Sequence, residues 1–107
     1  MSQEIDQAQY DSQILQSPIP VLLDLYGEHC GPCRQLAPLL DRLAIDYEGR
    51  AKVVMLNASA NHELAGRLAV SAVPTVVAFR DGREVGRLVG LRPESAYRHL
   101  LESAGAS

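Results

Sequence analysis

The sequence predicts one α/β domain over all 107 residues, with a central mixed sheet of four or five strands flanked by about four helices in three layers. Two apolar strand patterns, at 20–26 and 52–57, lie on either side of a long amphipathic helix pattern at 31–48. This order predicts a parallel pair of strands with a right-handed crossover. Further along, Asp81-Gly82 separates two more strand patterns and predicts an antiparallel hairpin.

The N-terminal segment has a weak pattern. Apart from Met1, residues 1–6 contain only Ile5 as an apolar residue, which predicts a short strand or none. Apolar residues at helical spacing follow within 10–15, and the Ser17–Pro20 stretch, with its two prolines, ends that helix.

The strand–helix–strand unit comes next. In 20–26 both alternating sets of side chains are apolar except Asp24, as is typical of a strand covered on both faces. The helix pattern at 31–48 has one broad apolar face and ends at Gly49. The residues of that face are Leu36, Leu39, Leu40, Leu43 and Tyr47.

The second half is predicted to begin with a short helix capped by Asn61. A strand at 75–79 and a returning strand at 84–90 form the hairpin. Pro93 suits the first turn of a last helix. The inward-facing residues of that helix are Tyr97, Leu100, Leu101 and Ala104.

The net charge of −3 argues against a nucleic-acid partner bound through phosphates. The first ten residues are polar and acidic and do not form a signal-peptide pattern, and no apolar run is long enough to cross a bilayer. We therefore expect a cytoplasmic protein that binds no membrane, and a monomer.

The two cysteines of the chain, Cys30 and Cys33, lie where the first buried strand gives way to the long helix. A Cys-x-x-Cys pair in that position is typical of redox-active dithiols. A structural disulfide is one alternative, but so small a ring stabilises a fold by only about 2 kcal/mol. A metal site is another, but it needs four ligands, and His29 adds only one to the two thiolates. The sequence thus favours dithiol chemistry, with the Cys30–Cys33 disulfide as the redox group and with no metal or other cofactor.

The dithiol motif Cys30-Gly31-Pro32-Cys33, in this order of elements, resembles the thioredoxin family. The resemblance covers about residues 10–101 and implies a thioredoxin-like fold. The other residues that carry it are Asp24, Glu28, Pro38, Asn57, Val73-Pro74-Thr75, Asp81-Gly82 and Gly90.

The candidate catalytic residues are Cys30, Cys33 and Asp24. Since a thiolate is the attacking species and a helix N-terminus favours negative charge, Cys30 is predicted to be the nucleophile. Cys33, one turn further and more covered, would resolve the mixed disulfide. Desolvation in a buried strand should raise the pKa of Asp24. The resemblance implies that Asp24 exchanges a proton with Cys33, and a strand-end aspartate that caps a loop is the alternative.

The resemblance also implies a cis bond between Val73 and Pro74, placed beside the disulfide. That arrangement would expose the Val73 backbone to an extended client segment, which could pair with it like an added strand. A trans proline that simply starts the next strand is the alternative. The predicted apolar docking surface around Cys30 consists of Gly31, Pro32, Val73, Pro74, Gly90 and Leu91.

Three positions near the dithiol depart from the family pattern. Tyr26 and His29 stand where members commonly have Trp, and both are candidate substrate-binding residues. A protonated His29 would favour the Cys30 thiolate and make the disulfide more oxidising, whereas a solvent-facing His29 would do little. Met55 replaces a lysine on the neighbouring strand, which predicts that Asp24 is shifted further toward its neutral form.

The resemblance implies reduction of protein disulfides, with thioredoxin reductase as electron donor and disulfide-containing proteins as clients. A member dedicated to one client, or a more oxidising oxidase or isomerase, is an alternative. A third alternative is a binding or chaperone module whose cysteines are incidental. The presence of Cys30, Cys33 and Asp24 together argues against this last interpretation, because a scaffold does not need them.

Overall fold

The computed structural model describes residues 2–107, which form a mixed five-stranded sheet in the order β1-β3-β2-β4-β5. The strands are β1 Gln3–Glu4, β2 Val21–Tyr26, β3 Lys52–Asn57, β4 Thr75–Arg80 and β5 Arg83–Val89. The helices are α1 Gly31–Asp46, α2 His62–Arg67 and α3 Glu94–Ser103. Between β1 and β2 lie a 3₁₀ turn at Gln7–Gln9 and a π-helical segment at Asp11–Leu15.

The pairing of the strands confirms the predicted β-α-β and β-β-α halves. Strand β2 is parallel to β3 and antiparallel to β4, and β4 pairs with β5 through the Asp81-Gly82 turn. The short β1 pairs with β3 in parallel and forms one edge of the sheet. Both strands of the parallel pair therefore end at the edge of the sheet where α1 begins, and their last residues, Tyr26 and Asn57, are register partners.

The three layers form because alternating side chains of the central strands enter two separate cores. On one face Leu22 and Val76 pack against apolar side chains of α1 and α3. On the other face Leu23 and Val77 pack against the N-terminal helical segment and α2. Asp24 has the parity of Leu22, so it points toward the α1 side of the sheet.

The structure places some helix ends differently. Helix α1 ends at Asp46 rather than at residue 48, and α3 begins at Glu94, with Pro93 as its N-cap residue. The predicted side-chain cap by Asn61 is wrong, because Asn61 occupies the N-cap position without capping the helix. Its amide instead donates to the Asn57 carbonyl and accepts from the Gln7 N–H.

Replacing Gly82 by alanine is expected to destabilise the fold by roughly 1–2 kcal/mol. Gly82 has a φ of +76°, and a Cβ there would lie 3.0 Å from the backbone oxygen of Leu15. The free energy of unfolding from urea titration measures the effect. Gly66→Ala is the control, since a Cβ at that position in α2 meets no atom within 4 Å and should be neutral or stabilising. Equal stability of the two variants would contradict the prediction.

Candidate active site

The two cysteines lie at the start of α1. Cys30 is the N-cap residue of the helix, and its sulfur accepts a hydrogen bond from the Cys33 N–H at 3.2 Å. The two residues are joined by a disulfide, with their Cα atoms 5.3 Å apart. The Cys30 sulfur therefore sits among the free N–H groups of the first helical turn, a position that stabilises a thiolate once the disulfide is reduced.

The two sulfurs differ in accessibility. Cys33 faces the core and only 5% of its surface is exposed, whereas Cys30 is partly exposed and is followed by the exposed residues Gly31 and Pro32. A disulfide within another folded protein can therefore approach the sulfur of Cys30, whereas the surrounding residues keep it from the sulfur of Cys33. The geometry thus supports unequal tasks for the two thiols.

A second loop lies beside the disulfide. The Val73–Pro74 bond is cis, and the carbonyl oxygen of Val73 lies 3.9 Å from the Cys30 sulfur. The Gly90 N–H donates to the Pro74 carbonyl at 2.8 Å, which brings the loop after β5 against the same place. Val73 and Leu91 are exposed by 37% and 42%, so this side of Cys30 has an accessible apolar surface.

Gly27 allows Val73 to approach the segment between β2 and the dithiol. A Cβ on Gly27 would lie 3.0 Å from the Val73 Cγ2, which is closer than Cβ atoms normally lie to atoms of other residues. The absence of a side chain at this position therefore lets the loop that carries the cis proline close on the strand that leads to Cys30.

Asp24 is buried on the face of the sheet that packs against α1 and α3. Its side chain is fully covered, and neither carboxyl oxygen has a hydrogen-bond partner within residues 2–107. Burial, with a smaller contribution from the charge of Glu4, raises the pKa of Asp24 to about 7. Leu22, which shares a face of β2 with Asp24, packs in the same core as Leu36 and Leu40 of α1, the helix that carries Cys33. A carboxyl that changes charge near neutral pH is suited to proton exchange with a thiol.

The strand partners of Asp24 are uncharged, as expected from Met55 at the position where the family commonly has a lysine. Met55 on β3 and Val76 on β4 are its register partners, and neither carries a charge. Glu4 is the partner of Met55 on β1, so Glu4, Met55, Asp24 and Val76 form one row across the sheet.

A groove of about 490 Å³ opens beside the disulfide. Tyr26 and His29, the two residues before Cys30 that differ from the family pattern, line this groove, and so does Met55 of β3. The residues that line it are Tyr26, Gly27, Glu28, His29, Cys30, Cys33, Arg34, Ala37 and Met55.

Tyr26 and His29 have different environments in this groove. The Tyr26 hydroxyl donates to Glu4, and burial together with this carboxylate raises the pKa of Tyr26 to about 12. His29 is exposed with a φ of +55°, and it makes no hydrogen bond to Cys30 within the described part of the chain. These contacts favour the solvent-facing interpretation of His29.

Glu4 was not identified from the sequence. It lies in a polar N-terminal segment without a motif, and only the register of β1 brings it to Met55 and Tyr26. Alternation within a two-residue strand is too short a signal to find it.

The described residues contain no group of three or more histidine, cysteine or acidic side chains placed to hold a metal ion. No helix among residues 2–107 is both long and apolar enough to cross a membrane. The Cys30–Cys33 disulfide is thus the redox group that the structure shows.

Comparisons with known proteins agree with the fold and the dithiol. The family described as "Thioredoxin" matches residues 1–103. "Thioredoxin 1" of a Nostoc species is 34% identical over 99 residues, which are 92% of each chain. "Thioredoxin" of a Synechocystis species is 35% identical over the same share, and "Thioredoxin" of Staphylococcus aureus is 34% identical over 92% of this chain and 93% of its own. This chain belongs to the thioredoxin family of thiol–disulfide oxidoreductases.

Proposed function

We propose that this protein-disulfide reductase works through unequal cysteines, with Cys30 attacking the client and Cys33 resolving the intermediate. The observation that carries the proposal is the contrast at the start of α1, where Cys30 is partly exposed at the N-cap and Cys33 is buried beneath it. The Cys30 thiolate attacks one sulfur of the client disulfide, and the other client sulfur leaves as a thiolate that takes up a proton.

Resolution requires a second thiolate at a buried position. Cys33 loses its proton to Asp24 and attacks the Cys30 sulfur, which closes the Cys30–Cys33 disulfide and expels the second client sulfur as a thiolate. Protonation of that thiolate removes the proton that Asp24 had accepted. Two electrons have then passed to the client, and two protons accompany them. The burial of Asp24 and its raised pKa support this role, since its carboxylate is a base of suitable strength near neutral pH.

Clients would dock on both sides of Cys30. On one side Gly31, Pro32, Val73, Gly90 and Leu91 form the docking surface, beneath which the predicted docking residue Pro74 is buried. The Val73 carbonyl beside Cys30 is an acceptor for the backbone of an extended client. On the other side Tyr26 and His29 line the groove and would contact residues that flank the client disulfide.

Electrons would return through dithiol exchange, with thioredoxin reductase as the donor. Membership of the thioredoxin family supports this partner and supports disulfide-containing proteins as clients. A reducing compartment such as the cytoplasm is the proposed location, because there the dithiol is kept reduced.

The test is reduction of insulin disulfides with NADPH and thioredoxin reductase, together with the redox potential of the dithiol. We expect sustained NADPH oxidation that depends on this protein, and a strongly reducing potential. A higher potential without turnover would instead indicate an oxidase, an isomerase or a dedicated partner.

A further inference from the structure

Glu4 and Asp24 lie on the same side of the sheet, on the two strands that flank Met55 of β3. Glu4 pairs with Met55 in the β1–β3 register, and Met55 pairs with Asp24 in the β3–β2 register. Register partners point to the same face, and adjacent strands are about 4.8 Å apart, so the two acidic residues are separated by about 10 Å at the backbone.

Several contacts hold Glu4 at this position. The Tyr26 hydroxyl donates to both Glu4 carboxylate oxygens, at 2.9 and 3.0 Å. The next residue, Ile5, donates its N–H to the Met55 carbonyl at 2.8 Å and is buried. At the other end of β1, Ser2 contacts the Met55 sulfur and donates to Asp41 of α1. The carboxylate of Glu4 is therefore fixed relative to the row, although it is exposed.

The groups around Asp24 include no cation that could offset this charge. Strand β1 contributes Glu4, β2 contributes Tyr26, and α3 contributes Tyr97. Strands β3 and β4 contribute the uncharged Met55 and Val76, and the group that α1 brings to the β1 edge is the acidic Asp41, which accepts from Ser2. No lysine, arginine or histidine pairs with Asp24 among residues 2–107.

We infer that Glu4, held by Tyr26, is a positioning residue for the reductase reaction that sets the pH range in which Asp24 can accept the proton of Cys33. The inference rests on the proposed role of Asp24. Its physical basis is that a fixed negative charge opposes ionisation of a second carboxyl in a site without a cation. The contribution of Glu4 to the raised pKa of Asp24 has the same sign.

The test is the rate of the resolving step as a function of pH. Reduced protein is mixed rapidly with dithiobis(nitrobenzoate), which releases one coloured thiolate when Cys30 attacks and a second when Cys33 resolves the mixed disulfide. The second release should accelerate as pH rises through the pKa of Asp24, about 7 in the wild type. Carboxyl-carbon NMR of Asp24 gives the same midpoint independently.

The Glu4→Gln variant should shift both midpoints to lower pH by about 0.3 to 1.3 units, as expected for one unit charge at this separation. Glu4→Asp retains the charge and should restore most of the wild-type profile. Tyr26→Phe frees the carboxylate without removing it, so a smaller shift in the same direction is expected. Glu63→Gln is the control, because it removes the same charge from the first turn of α2, on the opposite face of the sheet.

Unchanged midpoints in Glu4→Gln, or an equal shift in Glu63→Gln, would overturn the inference. Asp24→Asn separates this failure from that of the proposed function. If the rise in the rate of the resolving step near pH 7 disappears in Asp24→Asn but keeps its midpoint in Glu4→Gln, only the role of Glu4 is wrong. If the same rise in rate near pH 7 is still present in Asp24→Asn, both the proton transfer by Asp24 and the role of Glu4 are refuted.

Discussion

Replacing Cys33 by serine is expected to halt the reaction after its first step and to leave the client covalently attached to Cys30. The exposed N-cap sulfur can still attack, but no second thiolate is present to release the client. Insulin reduction should fall by orders of magnitude to background. Mass spectrometry under non-reducing conditions should show an adduct with the combined mass of this chain and the client chain.

Cys30→Ser is the matched control for this prediction. It should lose turnover as well, but without forming an adduct, because the buried Cys33 cannot reach a folded client. An adduct on Cys33 in this variant would mean that the roles are reversed. Multiple turnover in either variant would place the reactive group outside the dithiol.

The parts of the fold that could be predicted are those with strong local patterns. The sequence predicts a strand at 52–57, where β3 lies, because an uninterrupted apolar run between turns has few other solutions. The Asp81-Gly82 pair predicts the turn because few other residue pairs tolerate the positive φ that both positions adopt. The position of Cys30 at the start of α1 followed from the change of hydrophobic period at that point.

The features that could not be predicted depend on contacts between distant segments. Asn61 has the residue type of a helix cap, but Gln7 and Asn57 take up its amide instead. Gln7 in turn contacts the helix through its own side chain, which accepts from the Leu64 N–H at 3.3 Å. A local capping rule has no information about a partner 54 residues away.

In the candidate site, too, contacts between strands with clear patterns could be predicted, and contacts with the short N-terminal strand could not. The pairing of Asp24 with Met55 could be anticipated, because both lie in strands with clear patterns. The attachment of Tyr26 to Glu4 could not, since it needs the register of a strand of only two residues. Two of the positions that differ from the family pattern, Tyr26 and Met55, are thus both joined to Glu4 on the edge strand, one by a hydrogen bond and the other by strand pairing.

The stability of the protein is expected to fall as pH rises from about 4 to about 7, because burial without a partner opposes the ionisation of Asp24 in the folded state only. In the folded state its pKa is about 7, against an ordinary value of 3.8 in the unfolded chain. Below pH 3.8 the carboxyl is neutral in both states and has no cost. Between the two pKa values only the unfolded state loses the proton, so unfolding becomes progressively easier. Above pH 7 the full difference, about 4 kcal/mol, is present.

Asp24→Asn keeps the shape of the side chain and cannot ionise, so its stability should lack this pH dependence. We expect the variant to equal the wild type within about 1 kcal/mol at pH 4 and to exceed it by about 4 kcal/mol at pH 8. Urea unfolding of the oxidised proteins at both pH values measures the two differences. Asp11→Asn makes the same chemical change at an exposed position and should give a small difference that is the same at both pH values. A difference between wild type and Asp24→Asn that stays constant from pH 4 to pH 8 would mean that Asp24 ionises normally in the fold, and its part in the resolving step would then lose its physical basis.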